Sequence, residues 1–253
     1  MILKSKVIYI LLWSALMFGC RQNIELKSTS GKLVLVDSSI AADSAVASVI
    51  SPFREEIDKQ MSRIIGFSEA EQDSYYPESP LSNFVSDIIQ ERALRYLKAN
   101  NADTLPMISL MNIKGLRANL PEGEVTVRDI FEIMPFENQI VVLTISGTNI
   151  KAFFDYISTT NGEGISGAQL VIKNDKVKSV TINGDVLDVN RNYYLATSDY
   201  LANGGDYFSM ITNPIQSQLI GCKIREAIIE HIEELNQNNL KVVSNIDGRI
   251  KID

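Results

Sequence analysis

Ser198-Asp199-Tyr200-Leu201-Ala202-Asn203-Gly204-Gly205-Asp206-Tyr207-Phe208 is the stretch on which the reading of this chain turns. It follows an apolar run, residues 193–197, rich in aromatic and β-branched side chains, that reads as a strand. Paired glycines permit positive φ and close backbone approach, so Asn203-Gly204-Gly205-Asp206 reads as a turn. A loop at a strand end that offers flat rings and one carboxylate suits a planar, polar ligand. An ordinary turn with Tyr200 in the core is the competing reading.

Upstream, residues 168–173 and 177–182 pair as strands across Asn174-Asp175-Lys176, and Asn183-Gly184 is a two-residue hairpin signal. Residues 161–167 are glycine-rich and read as a loop. Ser146-Gly147-Thr148 starts a helix to about residue 157, after a strand at 139–145. A short helix at 126–134 opens with Thr126 and Asp129 spaced as a capping box. Between that helix and the strand lies Pro135-Phe136-Glu137-Asn138. Phe136 is either a second loop aromatic or a core phenylalanine, the commoner fate of that residue.

Residues 107–111 form an apolar run of strand length leading into Asn112-Ile113-Lys114-Gly115-Leu116-Arg117. A polar residue and an arginine across a glycine, at the end of a buried strand, is where α/β folds place sites. Arg117 can fork onto a ribose, phosphate or carboxylate; a surface arginine after a turn is the alternative. Residues 79–98 read as a helix, capped by Ser79 with Pro80 at its first position. Leu81, Phe84, Val85, Ile88, Ile89 and Leu97 share one face. Asn83 and Asp87 lie four apart on a common side, placed to steady a neighbouring loop.

Towards the C-terminus, residues 224–235 form a helix with Ile224, Ala227, Ile228, Ile232 and Leu235 inward, and 249–252 add an edge strand. Cys222 opens that helical pattern and reads as a buried small hydrophobe. Nearer the N-terminus, residues 32–36 alternate like a strand. Ile50, Phe53, Ile57, Met61 and Ile64 then recur at helical spacing, with Pro52 in a first turn. No linker, repeat or low-complexity tract interrupts this order. The expectation is one α/β domain, residues 32–253, with mixed sheets and packed helices.

Residues 1–19 read as a targeting segment: Lys4 and Lys6, then an apolar stretch at 7–18 too short for a stable span, then Gly19-Cys20. A small residue before a cysteine at that point resembles a bacterial lipoprotein signal. It implies cleavage before Cys20 and lipidation of its thiol, with residues 20–31 as a tether. A plain signal peptide or an uncleaved anchor are the alternatives, and all three export the chain. The net charge of -7 over 253 residues argues against a nucleic-acid polymer as partner. It leaves room for a small nucleotide held by one or two local arginines.

Taken together, the segments resemble the C-terminal domain of the 5′-nucleotidase family. The matching motifs stand in family order: Glu78-Ser79-Pro80-Leu81-Ser82-Asn83 with Asp87, then residues 112–117, then Pro135-Phe136-Glu137-Asn138, then residues 198–207 around Ala202-Asn203-Gly204-Gly205-Asp206. The similarity spans about residues 33–252. It implies a compact α/β domain that binds the nucleoside part of a substrate. By that resemblance Phe136 and Tyr200 sandwich the base, and Asn138 reaches its edge. Asp206 and Arg117 hold the ribose, Arg117 also lies near phosphate, and Asn112 lies beside them. Ile113 and Lys114 replace glycines of the family run, and Pro77 stands where many members carry an arginine, which implies either a weaker grip on phosphate or Lys114 in its place.

Full-length members also carry a metallophosphoesterase domain with histidine- and aspartate-rich metal motifs. This sequence has one histidine, His231, and none of those motifs. No catalytic residue, metal ligand or cofactor is therefore assigned within it, and metal-dependent hydrolysis is not expected of this chain alone. The expectation is an exported, lipid-anchored nucleoside- or nucleotide-binding domain serving nucleotide catabolism, with a separate metallophosphatase chain supplying divalent metals. A degenerate surface module that binds another ligand or acts as a scaffold is the alternative. A self-sufficient hydrolase lacks a base, nucleophile and orienting group in combination.

Overall fold

The computed structural model describes residues 26–37 and 39–253. The targeting segment and the lipidation site expected at Cys20 lie outside the described residues. The chain divides into two units, Met1–Val49 and Ile50–Asp253. In the first, residues 32–36 are exposed coil and not the expected strand. Alternation supplies an amphipathic face, but a strand also needs a hydrogen-bonded neighbour, and these residues have none among the described residues. Helix α1 (Ser44–Met61) begins in this unit and ends in the second, so Pro52 sits inside it and not in a first turn. Its apolar residues Ile50, Phe53 and Ile57 have the expected spacing but stay exposed, and Ile64 belongs to the next strand.

The second unit runs through β1 (Ile64–Ser68), α2 (Pro80–Ala99), β2 (Met107–Met111), β3 (Gly123–Thr126), α3 (Val127–Ile133), β4 (Gln139–Ser146) and α4 (Gly147–Thr159). It continues through β5 (Gly164–Ser166), β6 (Ala168–Lys173), β7 (Lys176–Ile182), β8 (Asp185–Val186), β9 (Asn192–Ser198), α5 (Asp199–Ala202), β10 (Gln216–Lys223), α6 (Ile224–Gln237) and β11 (Ile250–Ile252). Strand β5 lies inside the glycine-rich stretch expected to be loop. Its three residues are too few to carry a period of their own, and pairing with β2 orders them.

A five-stranded mixed sheet, ordered β10-β4-β9-β2-β5, organises the domain. Within it β2 and β9 run parallel, while β4 pairs antiparallel with both β9 and β10. Side chains alternate across its two faces. Met107, Met111, Ile140, Val142, Tyr194 and Ala196 join the core beneath α2, α3 and α6. Ile108, Leu110, Val141, Leu143, Ile145 and Leu195 join a second core with α4 and the sheet β11-β6-β7-β8. Because both faces are covered, β2 is buried throughout and reads as a continuous apolar run. Strands β2, β4 and β9 together deliver the three loops of the site.

Local signals explain the helices around this sheet. Ser79 caps α2, its hydroxyl accepting from Ser82 N, with Pro80 at the first position. Thr126 and Asp129 form the capping box of α3. Asn83 and Asp87 do steady a loop, the C-terminal one. Asn83 Nδ2 donates to Asn245 O at 3.0 Å, and Asp87 accepts from Arg249 at 2.8 Å. Glu78, buried beside them, accepts from the backbone N–H groups of Asp247, Gly248 and Ile250. Cys222 lies on β10 and is half-buried, not at the start of a helix.

Candidate functional site

The chain crosses one edge of the five-stranded sheet three times, and each crossing presents site residues. After β2, Asn112 leads into a tight turn over Ile113–Gly115, with Gly115 N donating back to Asn112 O at 2.9 Å. A Cβ on Gly115 would lie 2.6 Å from Asn112 Oδ1, so this turn needs glycine there. The turn exposes Lys114 and passes to Arg117, whose N–H bonds Ile133 O at 2.9 Å. After α3, a loop carries Phe136 and Asn138 into β4. After β9, Ser198 caps the single turn α5, its Oγ accepting from Leu201 N at 3.2 Å, and α5 carries Tyr200. Gly204 then takes φ 89° and Asp206 φ 48°, both left-handed, which turns the chain back across the Tyr200 ring.

These loops enclose a cavity of about 590 Å³, lined by Asn112, Lys114, Arg117, Phe136, Asn138, Tyr200 and Asp206 among others. All six residues singled out in the sequence for substrate binding therefore face one cavity of ligand size. Phe136 and Tyr200 are partly exposed there, at 37 % and 46 %, and neither is a core residue. The Arg117 guanidinium sits over the Phe136 ring, 5.3 Å from its centroid. Neither Lys114 nor Arg117 has a carboxylate within ion-pair distance among the described residues.

Asp206 is the polar centre of the cavity. Its Oδ2 accepts from Asn112 Nδ2 at 2.6 Å, and its Oδ1 accepts from Tyr200 Oη at 2.9 Å. Tyr156 Oη donates to its backbone carbonyl at 2.7 Å. The bond to Asp206 holds the Tyr200 hydroxyl above its ordinary range. With one bond to each, the two Asp206 oxygens retain acceptor capacity in a residue that lines the cavity.

Behind this centre lies a second carboxylate that the sequence did not single out. Glu163, 6 % exposed, accepts from Ile113 N at 2.7 Å and faces Tyr76 Oη at 3.5 Å. Burial first, and then the charge of Asp206, push its carboxyl up to about 7, while the Ile113 N–H and Lys114 pull the other way. The Tyr76 hydroxyl is raised to about 12 by burial and by Glu163. Its only sequence signal is a lone acid among glycines in Asn161-Gly162-Glu163-Gly164.

One cluster has a metal-like composition. Donor atoms of Glu91, His231 and Glu234, on α2 and α6, lie within 4.8 Å of one another. Arg92 and Arg95 each reach Glu234 at 3.2 Å, and Arg95 also pairs with Glu91, so these carboxylates are already neutralised by cations. The donor set fits an ion-pair network better than a metal centre.

Comparison with known proteins gives a consistent frame. Residues 57–213 match the family model described as 5′-nucleotidase, C-terminal domain. The chain is 25 % identical over 223 residues to the trifunctional nucleotide phosphoesterase protein YfkN of Bacillus subtilis, covering 80 % of this chain and 15 % of that protein. It is 27 % identical over 192 residues to a 5′-nucleotidase of Vibrio parahaemolyticus, covering 72 % and 32 %. Its fold is similar to the crystal structure of a 5′-nucleotidase precursor from Thermus thermophilus, with a TM-score of 0.67 at 23 % identity over 82 % of this chain and 43 % of that one. The chain thus spans less than half the length of each of these proteins.

Proposed function

The chain belongs to the 5′-nucleotidase C-terminal domain family, and from that premise we propose that its cavity binds a nucleotide, base between Phe136 and Tyr200 and phosphate towards Lys114 and Arg117. The observation that carries this reading is the pairing of two partly exposed rings with two cations that lack carboxylate partners among the described residues, all on one cavity. In a chain of net charge -7, cations left unpaired in a cavity favour an anionic ligand. Two rings supply stacking that tolerates different bases, worth about 1–3 kcal/mol per base in single-stranded examples. Asn138 is placed to meet a base edge. Asp206, held by Asn112 and Tyr200, keeps lone pairs for ribose hydroxyls.

In this reading the domain supplies binding and orientation, and hydrolysis is completed by a metallophosphatase chain that brings the metals and the attacking water. The single histidine of these 253 residues, His231, lies on α6, away from the residues that line the cavity. Export and a lipid anchor at Cys20 complete the proposal and place it in extracytoplasmic nucleotide catabolism; they rest on the lysines, apolar stretch and Gly19-Cys20 junction of the sequence.

Calorimetric titration with adenosine, AMP, UMP and glucose tests the reading. Saturable heat with the nucleotides, weaker heat with adenosine and none with glucose are expected. No heat with any nucleoside or nucleotide from a folded sample refutes nucleotide binding and points to a module for another ligand. Cleavage of Cys20-containing precursor and radiolabelled palmitate incorporation test the anchor.

A further inference from the structure

The loop carrying Phe136 and Asn138 is held from outside by three consecutive residues at the junction of β10 and α6. Arg225 Nη1 donates to Met134 O at 3.3 Å and to Phe136 O at 3.2 Å, and its Nη2 bonds the Glu137 carboxylate. Ile224 N donates to Asn138 O at 3.0 Å, and Lys223 Nζ meets Glu137 Oε2 at 2.6 Å. The guanidinium also lies 4.0 Å from the Phe131 ring centroid. Arg225 is 5 % exposed, so this is a buried cation.

The geometry arises from an irregularity in the sheet. Between Leu219, opposite Val141, and Lys223, opposite Gln139, strand β10 takes extra residues, with Gly221 at φ 72°. That bulge re-aims the strand end and swings the first residues of α6 towards the loop. Burying a guanidinium is costly unless its donors are used, and here they are used on the carbonyls of one short loop. An apolar side chain over Phe131 would fill the same space, but it would leave the carbonyls of Met134 and Phe136 unpaired and the loop unfixed.

We propose that Arg225 is a positioning residue for the cavity, clamping the Met134 and Phe136 carbonyls and the Glu137 carboxylate so that the Phe136 ring stands as a preformed wall. This rests on the reading of the cavity as a base-binding site. Arg225 touches no ligand itself. It acts through Phe136 and Asn138, and it leaves the Asn112, Lys114, Arg117 and Asp206 side of the cavity untouched.

The test uses the full-length protein with Arg225→Met and, as the milder variant at an exposed position, Glu137→Ala. Hydrogen exchange without ligand is measured first. The peptide over residues 134–138 is expected to exchange at least tenfold faster in Arg225→Met, and less markedly so in Glu137→Ala, with β4 and α2 unchanged. Wild-type exchange in that peptide overturns the clamp, whether or not any nucleotide binds. Affinities for AMP and ribose 5-phosphate are measured next. AMP is expected to weaken tenfold or more while ribose 5-phosphate stays within twofold, and Arg225→Met added to Phe136→Ala gives no further loss. Equal loss for both ligands, or additive losses, overturns the positioning role. If wild type binds neither ligand, the base-binding reading fails and the exchange result alone decides whether the clamp exists.

Discussion

The Tyr200 hydroxyl donates to Asp206 Oδ1 at 2.9 Å, so the ring proposed for base stacking and the carboxylate proposed for ribose hydroxyls are tied to each other. Asn112 fixes the other oxygen at 2.6 Å. A phenylalanine at this position would keep the ring and release one of the two carboxylate oxygens.

Tyr200→Phe is therefore expected to separate stacking from ribose recognition. Adenosine affinity falls only a few-fold in this variant. Its preference over 2′-deoxyadenosine shrinks, because Asp206 is no longer aimed. Tyr200→Ala removes the ring as well and loses stacking of about 1–3 kcal/mol, roughly 5- to 150-fold. Calorimetry with the ribo and deoxy pair reads both effects. An unchanged ribo-to-deoxy ratio in Tyr200→Phe would show that the hydrogen bond to Asp206 has no part in ligand recognition.

Lys114 makes a narrower prediction. It projects from the turn after β2 and has no carboxylate partner among the described residues. Lys114→Ala is expected to weaken AMP three- to tenfold and to leave adenosine unchanged, with the AMP difference shrinking as salt rises. The check is titration of both ligands at two ionic strengths. An equal effect on the two ligands would remove Lys114 from the phosphate side.

Glu163 sets a pH dependence that can be read without any ligand. Burial raises its carboxyl from an ordinary 4.5 to about 7. The folded chain thus keeps a proton that the unfolded chain releases above pH 4.5. The contribution to stability is complete below that value and is lost as pH rises through 7, a full loss of roughly 3 kcal/mol. Glu137, Glu234 and Asp247, whose carboxyls are lowered by bonds to Lys223, Arg95 and Arg249, contribute with the opposite sign. The reading is therefore the difference between wild type and Glu163→Gln. Melting curves from pH 5 to 8 are expected to show Glu163→Gln gaining several degrees on wild type at the alkaline end. A constant difference across that range would mean that Glu163 titrates normally.

Much of this arrangement was legible in local sequence, and its limits have physical causes. Ser79 and Pro80, and Thr126 with Asp129, mark helix starts because caps act within one turn. Asn112, Arg117, Tyr200 and Asp206 were readable as residues at strand ends, where loops converge, and Asn138 through the family resemblance. Periodicity in α1 told which residues share a face, but not whether anything covers it, and Ile50, Phe53 and Ile57 stay exposed. The Arg225 clamp reaches 89 and 91 positions back to two backbone carbonyls, which carry no sequence signature. Glu163 reaches Ile113 across 50 positions for the same reason.

Gly205 ties the backbone to the ring wall and gives the sharpest structural test. A Cβ placed there would lie 2.4 Å from Tyr200 Cε1 and 2.5 Å from Cζ, well inside contact distance. The glycine is thus required by the flat ring lying against its Cα, and not by a positive φ. Gly205→Ala must push the Tyr200 ring outward or break its bond to Asp206. Tyr200 is nearly half exposed, so the ring can move into solvent at small cost to the fold. The expected outcome is a melting temperature within a few degrees of wild type together with nucleotide affinity reduced towards that of Tyr200→Ala. Combining the two substitutions is expected to add little, because both act on one ring. Wild-type affinity in Gly205→Ala would mean that the ring position seen here is not the one a ligand uses, and the stacking role of Tyr200 would fall with it.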